Sequence, residues 1–174
     1  MNPQHVFEIA KEQYAALGVD VEQAICLADG AAISMHSWQG DDLIGFDGSK
    51  ELSGGIATTG NYPGRARTLP ELLGDIDEAM SMIPGKLKVS VHACQAELNG
   101  KQIGRDAYTA AEFEGWIAWA KERKLGLDFN PTFFSSPMMD GNFSLSSFDE
   151  TKRRFWVEHG KRSREIGEAF GRAL

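Results

Sequence analysis

Three short stretches of this chain alternate apolar with small or polar residues, and amphipathic helices with recognisable caps lie between them. That combination narrows the fold more than any other feature. The stretches are Ala32 to His36, Leu87 to His92 and Leu125 to Asn130. A period of two marks a strand, because successive side chains leave opposite faces of a sheet. Strands joined through helices argue for crossover connections and a parallel sheet.

The helices are read from their starts, where Ser, Thr, Asp or Asn accepts a bond from an orphaned amide of the first turn. Asn2 with Pro3 just inside opens the first. Asp20 with Gln23, Thr68 with Glu71, Thr109 with Glu112 and Ser147 with Glu150 have capping-box spacing or a close variant. Behind the caps run apolar stripes: Leu69, Leu72, Leu73 and Ile76 in one helix, Phe113, Trp116, Ile117 and Ala120 in another, and Phe148, Phe155, Trp156, His159, Ile166 and Phe170 in the last. Each stripe is expected to pack on a sheet. The order is helix, helix, then three strand-helix units.

A parallel sheet covered on both faces shows nearly continuous apolar strands. Here Leu87, Val89 and Val91 oppose Lys88, Ser90 and His92; Ile33 and Met35 oppose Ser34 and His36; Leu125, Leu127 and Phe129 oppose Gly126, Asp128 and Asn130. One face suits helices, and the other is small at the start and polar toward the C-terminal end. Such a face fits the interior of a barrel whose top is an active site. The expected fold is therefore α/β: an incomplete (β/α)8 TIM-type barrel with three parallel βα units preceded by N-terminal helices. An antiparallel sheet with one wet face gives the same alternation, but the intervening helices disfavour it.

Length and composition agree with one domain, or part of one, over 1-174: 174 residues with 42% hydrophobic content supply one core. A formal charge of -7 with scattered Lys and Arg offers no footprint for a phosphate backbone, so nucleic acid is not an expected partner. No apolar run approaches the ~20 residues of a membrane span, and the N-terminus has no apolar signal core; a cytoplasmic protein is expected. Cys26 and Cys94 form no disulfide or zinc pattern, and Cys26 beside Ile25 and Leu27 reads as a small buried hydrophobe. Asn142-Phe143-Ser144 matches a glycosylation acceptor without a secretory signal to give it meaning.

The chemistry-bearing positions follow from the alternation. His36, Trp38, His92, Asp128 and Asn130 share the polar, C-terminal end of the inward face. His92 serves either as a proton relay or hydrogen-bond donor to a ligand, or as a buried histidine satisfied by a neighbouring carbonyl. Trp38 is either one wall of a small-ligand pocket or ordinary core. Asp128 and Asn130 either hold a polyol or cap the backbone before Pro131. Asp41 and Asp42 resemble metal ligands, yet an acidic pair in a glycine-rich loop is usually solvated. That loop, roughly Gln39 to Arg67, carries Gly54, Gly55, Gly60 and Gly64, lacks any phosphate-binding glycine motif, and is long enough to be a lid or binding loop.

The run Ser34-Met35-His36-Ser37-Trp38-Gln39-Gly40-Asp41-Asp42, then Gly54-Gly55-Ile56-Ala57-Thr58-Thr59-Gly60-Asn61-Tyr62-Pro63-Gly64, closely resembles the N-terminal region of the L-rhamnose isomerase family. So do Ile83-Pro84-Gly85 and Gly126-Leu127-Asp128-Phe129-Asn130-Pro131 with Phe134-Ser135. The resemblance implies a manganese-favouring, metal-dependent aldose-ketose isomerase on a (β/α)8 barrel, converting L-rhamnose to L-rhamnulose in rhamnose catabolism. It further implies that Trp38, His92 and Phe134 line the sugar site, and that Gly54, Gly55, Gly60 and Gly64 belong to a flexible active-site loop.

A barrel of this type needs about 250 residues, and only three of its strands are read here. The metal ligands and the residues that move hydrogen lie on later strands in the resembled family. No catalytic or metal residue is therefore assigned in this chain, and the chain alone is expected to show no turnover. Unpaired edges on the first and third strands are expected to favour a homo-oligomer or a complementing C-terminal half. A non-catalytic α/β assembly module, or a barrel acting on another sugar, stands as the alternative.

Overall fold

A computed structural model of the chain describes residues 2–37, 45–48 and 66–174. The contacts divide it into two units, Met1–Ile33 with Pro84–Lys86, and Ser34–Ile83 with Leu87–Leu174.

The smaller unit holds helices α1 (Pro3–Ala15) and α2 (Val21–Asp29). Their starts are as the sequence predicts: the Asn2 side chain accepts from the Gln4 amide and the Asp20 carboxylate from the Gln23 amide, both at 3.0 Å. Neither helix contributes a buried residue. Cys26, expected to be buried, is exposed. The reason is visible in its neighbours on the same helix: Leu27 is 71% exposed and Ile25 is 45% exposed, so no core forms on α2 for the thiol to enter.

The sheet comprises strands β1 (Ile33–His36), β2 (Leu87–His92) and β3 (Gly126–Asn130), in the order β1-β2-β3, and all but Ile33 belong to the larger unit. β2 and β3 run parallel, with Val89 opposite Leu127 and His92 opposite Asn130. β1 runs the same way, since Ile33 N donates to Lys86 O and Ser37 N to Ser90 O in constant register. The parallel sheet expected from the alternation is present.

Helix α3 (Leu69–Ser81) starts at Thr68, whose hydroxyl accepts from the Glu71 amide, and buries Leu69, Leu72 and Ile76 with Val89, Val91 and Leu127. Complete burial of one such side chain stabilises the fold by roughly 1.5–3 kcal/mol. Helix α4 (Glu114–Arg123) is preceded by a 3-10 turn, Ala110–Phe113, in which the Thr109–Glu112 capping box forms as predicted. It ends at Lys124 in the left-handed region (φ 55), after which Leu125 N returns to Ala120 O. This turn occupies Leu125, so β3 starts one residue later than the alternation suggested.

Helix α5 (Glu150–Ala173) buries Trp156, His159, Ser163, Ile166 and Phe170, a stripe at helical spacing. Phe170 meets Phe113 and Phe129 edge-on, and Phe113 meets Phe129 likewise, at centroid distances of 5.0 to 6.1 Å. Edge-to-face packing of this kind matches the ring quadrupoles. The cap of α5 is Asp149 rather than Ser147: its carboxylate accepts from Thr151 N and Lys152 N. The Ser147 hydroxyl is already engaged, donating to Asp140 at 2.8 Å and accepting from Asp149 N at 3.0 Å. Phe148 lies before the helix and is 90% exposed, so it does not belong to the buried stripe.

Candidate functional site

Parallel strands bring their C-terminal ends to one edge of the sheet, and the side chains on one face there converge. The imidazoles of His36 and His92 sit with centroids 6.0 Å apart and planes tilted by 50°. His36 is exposed, whereas His92 is buried. Further down the same face Lys88 reaches Asp128 at 3.6 Å, a half-exposed pair.

Burial, followed by the charge of His36, pushes the His92 imidazole down to about 4. Near neutral pH the ring is uncharged, and it offers one donor and one acceptor nitrogen. Nδ1 lies 3.3 Å from the Thr132 hydroxyl, which also receives the Ala93 amide at 3.1 Å. The backbone of His92 is fixed separately: its N–H donates to Gln95 Oε1 at 2.9 Å. The same amide oxygen lies 2.8 Å from the Ser37 hydroxyl, so the wholly buried Gln95 joins the ends of β1 and β2.

The loop after β3 completes the described part of the site. Asn130 Oδ1 accepts from Thr132 N at 2.9 Å, which is the backbone-capping role left open by the sequence. Asp128 carries the Lys88 ion pair. Phe134 is 37% exposed on this loop, and its carbonyl accepts from Arg105 at 2.7 Å. Thus His92 and Phe134 both depend on the Thr132–Ser135 segment. Trp38, Gly54, Gly55, Gly60, Gly64, Asp41 and Asp42 lie outside the described residues.

Sequence reasoning did not find Arg105, Asp47, Gln95 or Thr132. Arg105 and Asp47 form a buried ion pair, each side chain 3% exposed, with Nε 2.8 Å from Oδ2. Charged residues are rarely buried unless paired, but a pairing across 58 positions leaves no local signature.

Among the described residues no group of three His, Cys, Asp or Glu side chains is placed to hold a metal ion. The chemistry agrees: His92 faces a hydroxyl rather than a carboxylate, and Asp128 is held by a lysine. A hard divalent ion calls for several converging oxygens, so the described residues do not by themselves fit one. No helix among them is long and apolar enough to cross a membrane.

Comparison with known proteins gives one consistent result. The family model described as L-rhamnose isomerase (RhaA) matches residues 1–174. An L-rhamnose isomerase of Mannheimia succiniciproducens is 50% identical over 172 residues, covering 98% of this chain and 41% of that protein. One from Listeria monocytogenes is 50% identical over 171 residues, covering 97% and 40%. One from Escherichia coli O127:H6 is 44% identical over 172 residues, covering 98% and 41%. The chain spans about 40% of the length of these relatives.

Proposed function

This chain belongs to the L-rhamnose isomerase family, and we propose that it supplies one side of the sugar site of an enzyme that converts L-rhamnose to L-rhamnulose in rhamnose catabolism. The reaction moves one hydrogen from C2 to C1 and one proton from O2 to O1, so atoms and electrons balance within the sugar. The observation that carries the proposal is the extent of the match, which covers residues 1–174. The meeting of His36, His92 and Asn130 at one end of a parallel sheet supports it.

In this proposal the three strands begin a (β/α)8 TIM-type barrel, with 1-174 as a single or partial domain of it and active-site residues at the C-terminal strand ends. Trp38 and Phe134 form apolar wall, and neutral His92 exchanges a hydrogen bond with a sugar hydroxyl. Gly54, Gly55, Gly60 and Gly64 belong to a flexible loop over the site. A divalent metal, manganese, would be held by residues beyond those described. The protein acts in the cytoplasm, as a homo-oligomer or with a complementing C-terminal half covering the sheet edges.

The test uses protein of the relatives' full length that carries this sequence, stripped with chelator and reloaded with Mn²⁺. Formation of ketose from L-rhamnose, restored by the metal, is the expected outcome. Absence of turnover in the reloaded protein sinks the activity. Turnover by the 174-residue chain alone sinks the assignment of metal and hydrogen-transfer groups outside it.

A further inference from the structure

Arg105 occupies the middle of a structure that its sequence neighbours do not announce. It stands in a 3-10 turn, Arg105–Ala107, on the connection after β2, and its guanidinium is almost wholly buried. Nε donates to Asp47, on the segment that follows β1. Nη1 donates to the carbonyls of Thr132 and Phe134, each at 2.7 Å, and Nη2 to that of Ser135 at 2.8 Å. One planar group therefore ties together the connections that follow all three strands.

The clasped segment is unusual. Thr132 (φ 52) and Ser135 (φ 51) both lie in the left-handed region, and neither is glycine. Backbone of that kind persists only where its surroundings over-determine it. Three carbonyls turned onto one guanidinium provide that constraint. α5 adds to it: His159 lies 3.0 Å from Arg105 O through Nδ1 and contacts Pro131 O through Nε2. The residue presented by the clasped turn is Phe134, with its ring partly exposed.

We infer that Arg105 is a positioning residue for substrate specificity, holding Phe134 against the C6 methyl group of the sugar through the carbonyls of Thr132, Phe134 and Ser135. The inference rests on the reading of Phe134 as a wall of the sugar site. Lysine does not replace arginine here, because a single ammonium cannot span Asp47 and three carbonyls in one plane. Arg105→Lys keeps the charge beside Asp47 and loosens the turn.

The test compares kcat/KM for L-rhamnose with kcat/KM for L-mannose, which differs by a hydroxyl on C6, in protein of full relative length carrying this sequence. This ratio does not depend on how much of the protein is folded and active, so partial loss of fold cancels. Phe134→Ala is expected to lower it by about tenfold, the low end of what a hydrophobic pocket yields per methylene. Arg105→Lys should lower it in the same direction, and the double variant should match Phe134→Ala alone. An unchanged ratio in Phe134→Ala removes the wall reading and this inference with it. A ratio moved by Phe134→Ala and untouched by Arg105→Lys leaves the wall standing and reduces Arg105 to a support of the fold. Effects that multiply in the double variant also overturn the inference, because Arg105 then acts elsewhere. If Arg105→Lys yields no folded protein, Asp47→Asn, which strips the guanidinium of its buried counter-charge, takes its place: a lowered ratio supports the inference and an unchanged one overturns it.

Discussion

The hydroxyl of Thr132 stands 3.3 Å from Nδ1 of His92, so the loop after β3 governs the ring that ends β2. Two strand ends thereby share one side-chain atom, which also receives the Ala93 amide. Removal of that oxygen leaves two buried groups without this partner.

Thr132→Val keeps the shape and the left-handed backbone requirement of the threonine while deleting the hydroxyl. The variant should lose about 1–3 kcal/mol, the range for leaving a buried polar group unsatisfied. Thr132→Ser should recover most of it. Urea denaturation of the variants checks the order; equal stability of Val and wild type would show that the oxygen carries no weight.

Acid should weaken the fold before ordinary carboxylates titrate. His92 is pushed down to about 4 from 6.5, so on lowering the pH the unfolded chain takes up its proton first. The stabilisation is complete above about 6.5, falls as the pH drops toward 4, and is flat below; at ~1.4 kcal/mol per pH unit it amounts to about 3 kcal/mol. Burial lowers His159 as well, with the same sign. The urea midpoint of wild type minus that of His92→Asn, followed from pH 7.5 to 4, isolates the contribution of His92. A difference that does not change with pH contradicts it.

In full-length protein, His92→Phe fills the ring's volume and removes both nitrogens from the site. The KM for L-rhamnose should rise by about tenfold, the equivalent of one hydrogen bond of ~1.4 kcal/mol. Steady-state kinetics read the change, and an unaltered KM returns His92 to the role of a packed core residue.

At the start of α5, Asp149→Ala should cost about 1 kcal/mol and Asp149→Asn very little, because one oxygen, Oδ1, accepts both capping amides and a carboxamide keeps it. Hydrogen exchange should locate the loss at the Thr151 and Lys152 amides that the carboxylate serves. Uniform loss of protection along the helix is the contrary result.

Local chemistry was legible in the sequence, and long-range pairing was not. Strand β2 occupies the residues its alternation marks, and Asp20, Thr68 and Thr109 cap as their spacing predicts. The same alternation places His92 beside His36 and opposite Asn130. Ser147 is not the cap because the helix starts later, at Glu150, so the amide its hydroxyl accepts is that of Asp149, the residue that caps the helix. Arg105 was invisible since its partner Asp47 and the carbonyls it clasps come from distant segments. The turn through Thr132 and Ser135 contains no glycine to announce its left-handed residues. Cys26 was misread because an apolar neighbourhood in sequence does not guarantee a partner surface for the helix.

The two thiols consequently report on different things. Cys94 is buried and its thiol is pushed up to about 12, while the Cβ a side chain at Gly45 would carry falls 2.7 Å from Cys94 O, so the backbone there is closely covered. Thiolate is the reactive species, and an alkylating reagent added to the native chain should therefore stop at one equivalent, on exposed Cys26. The second equivalent becomes a clock for opening of the segment around Asp47 and Arg105, read by mass without any engineered label.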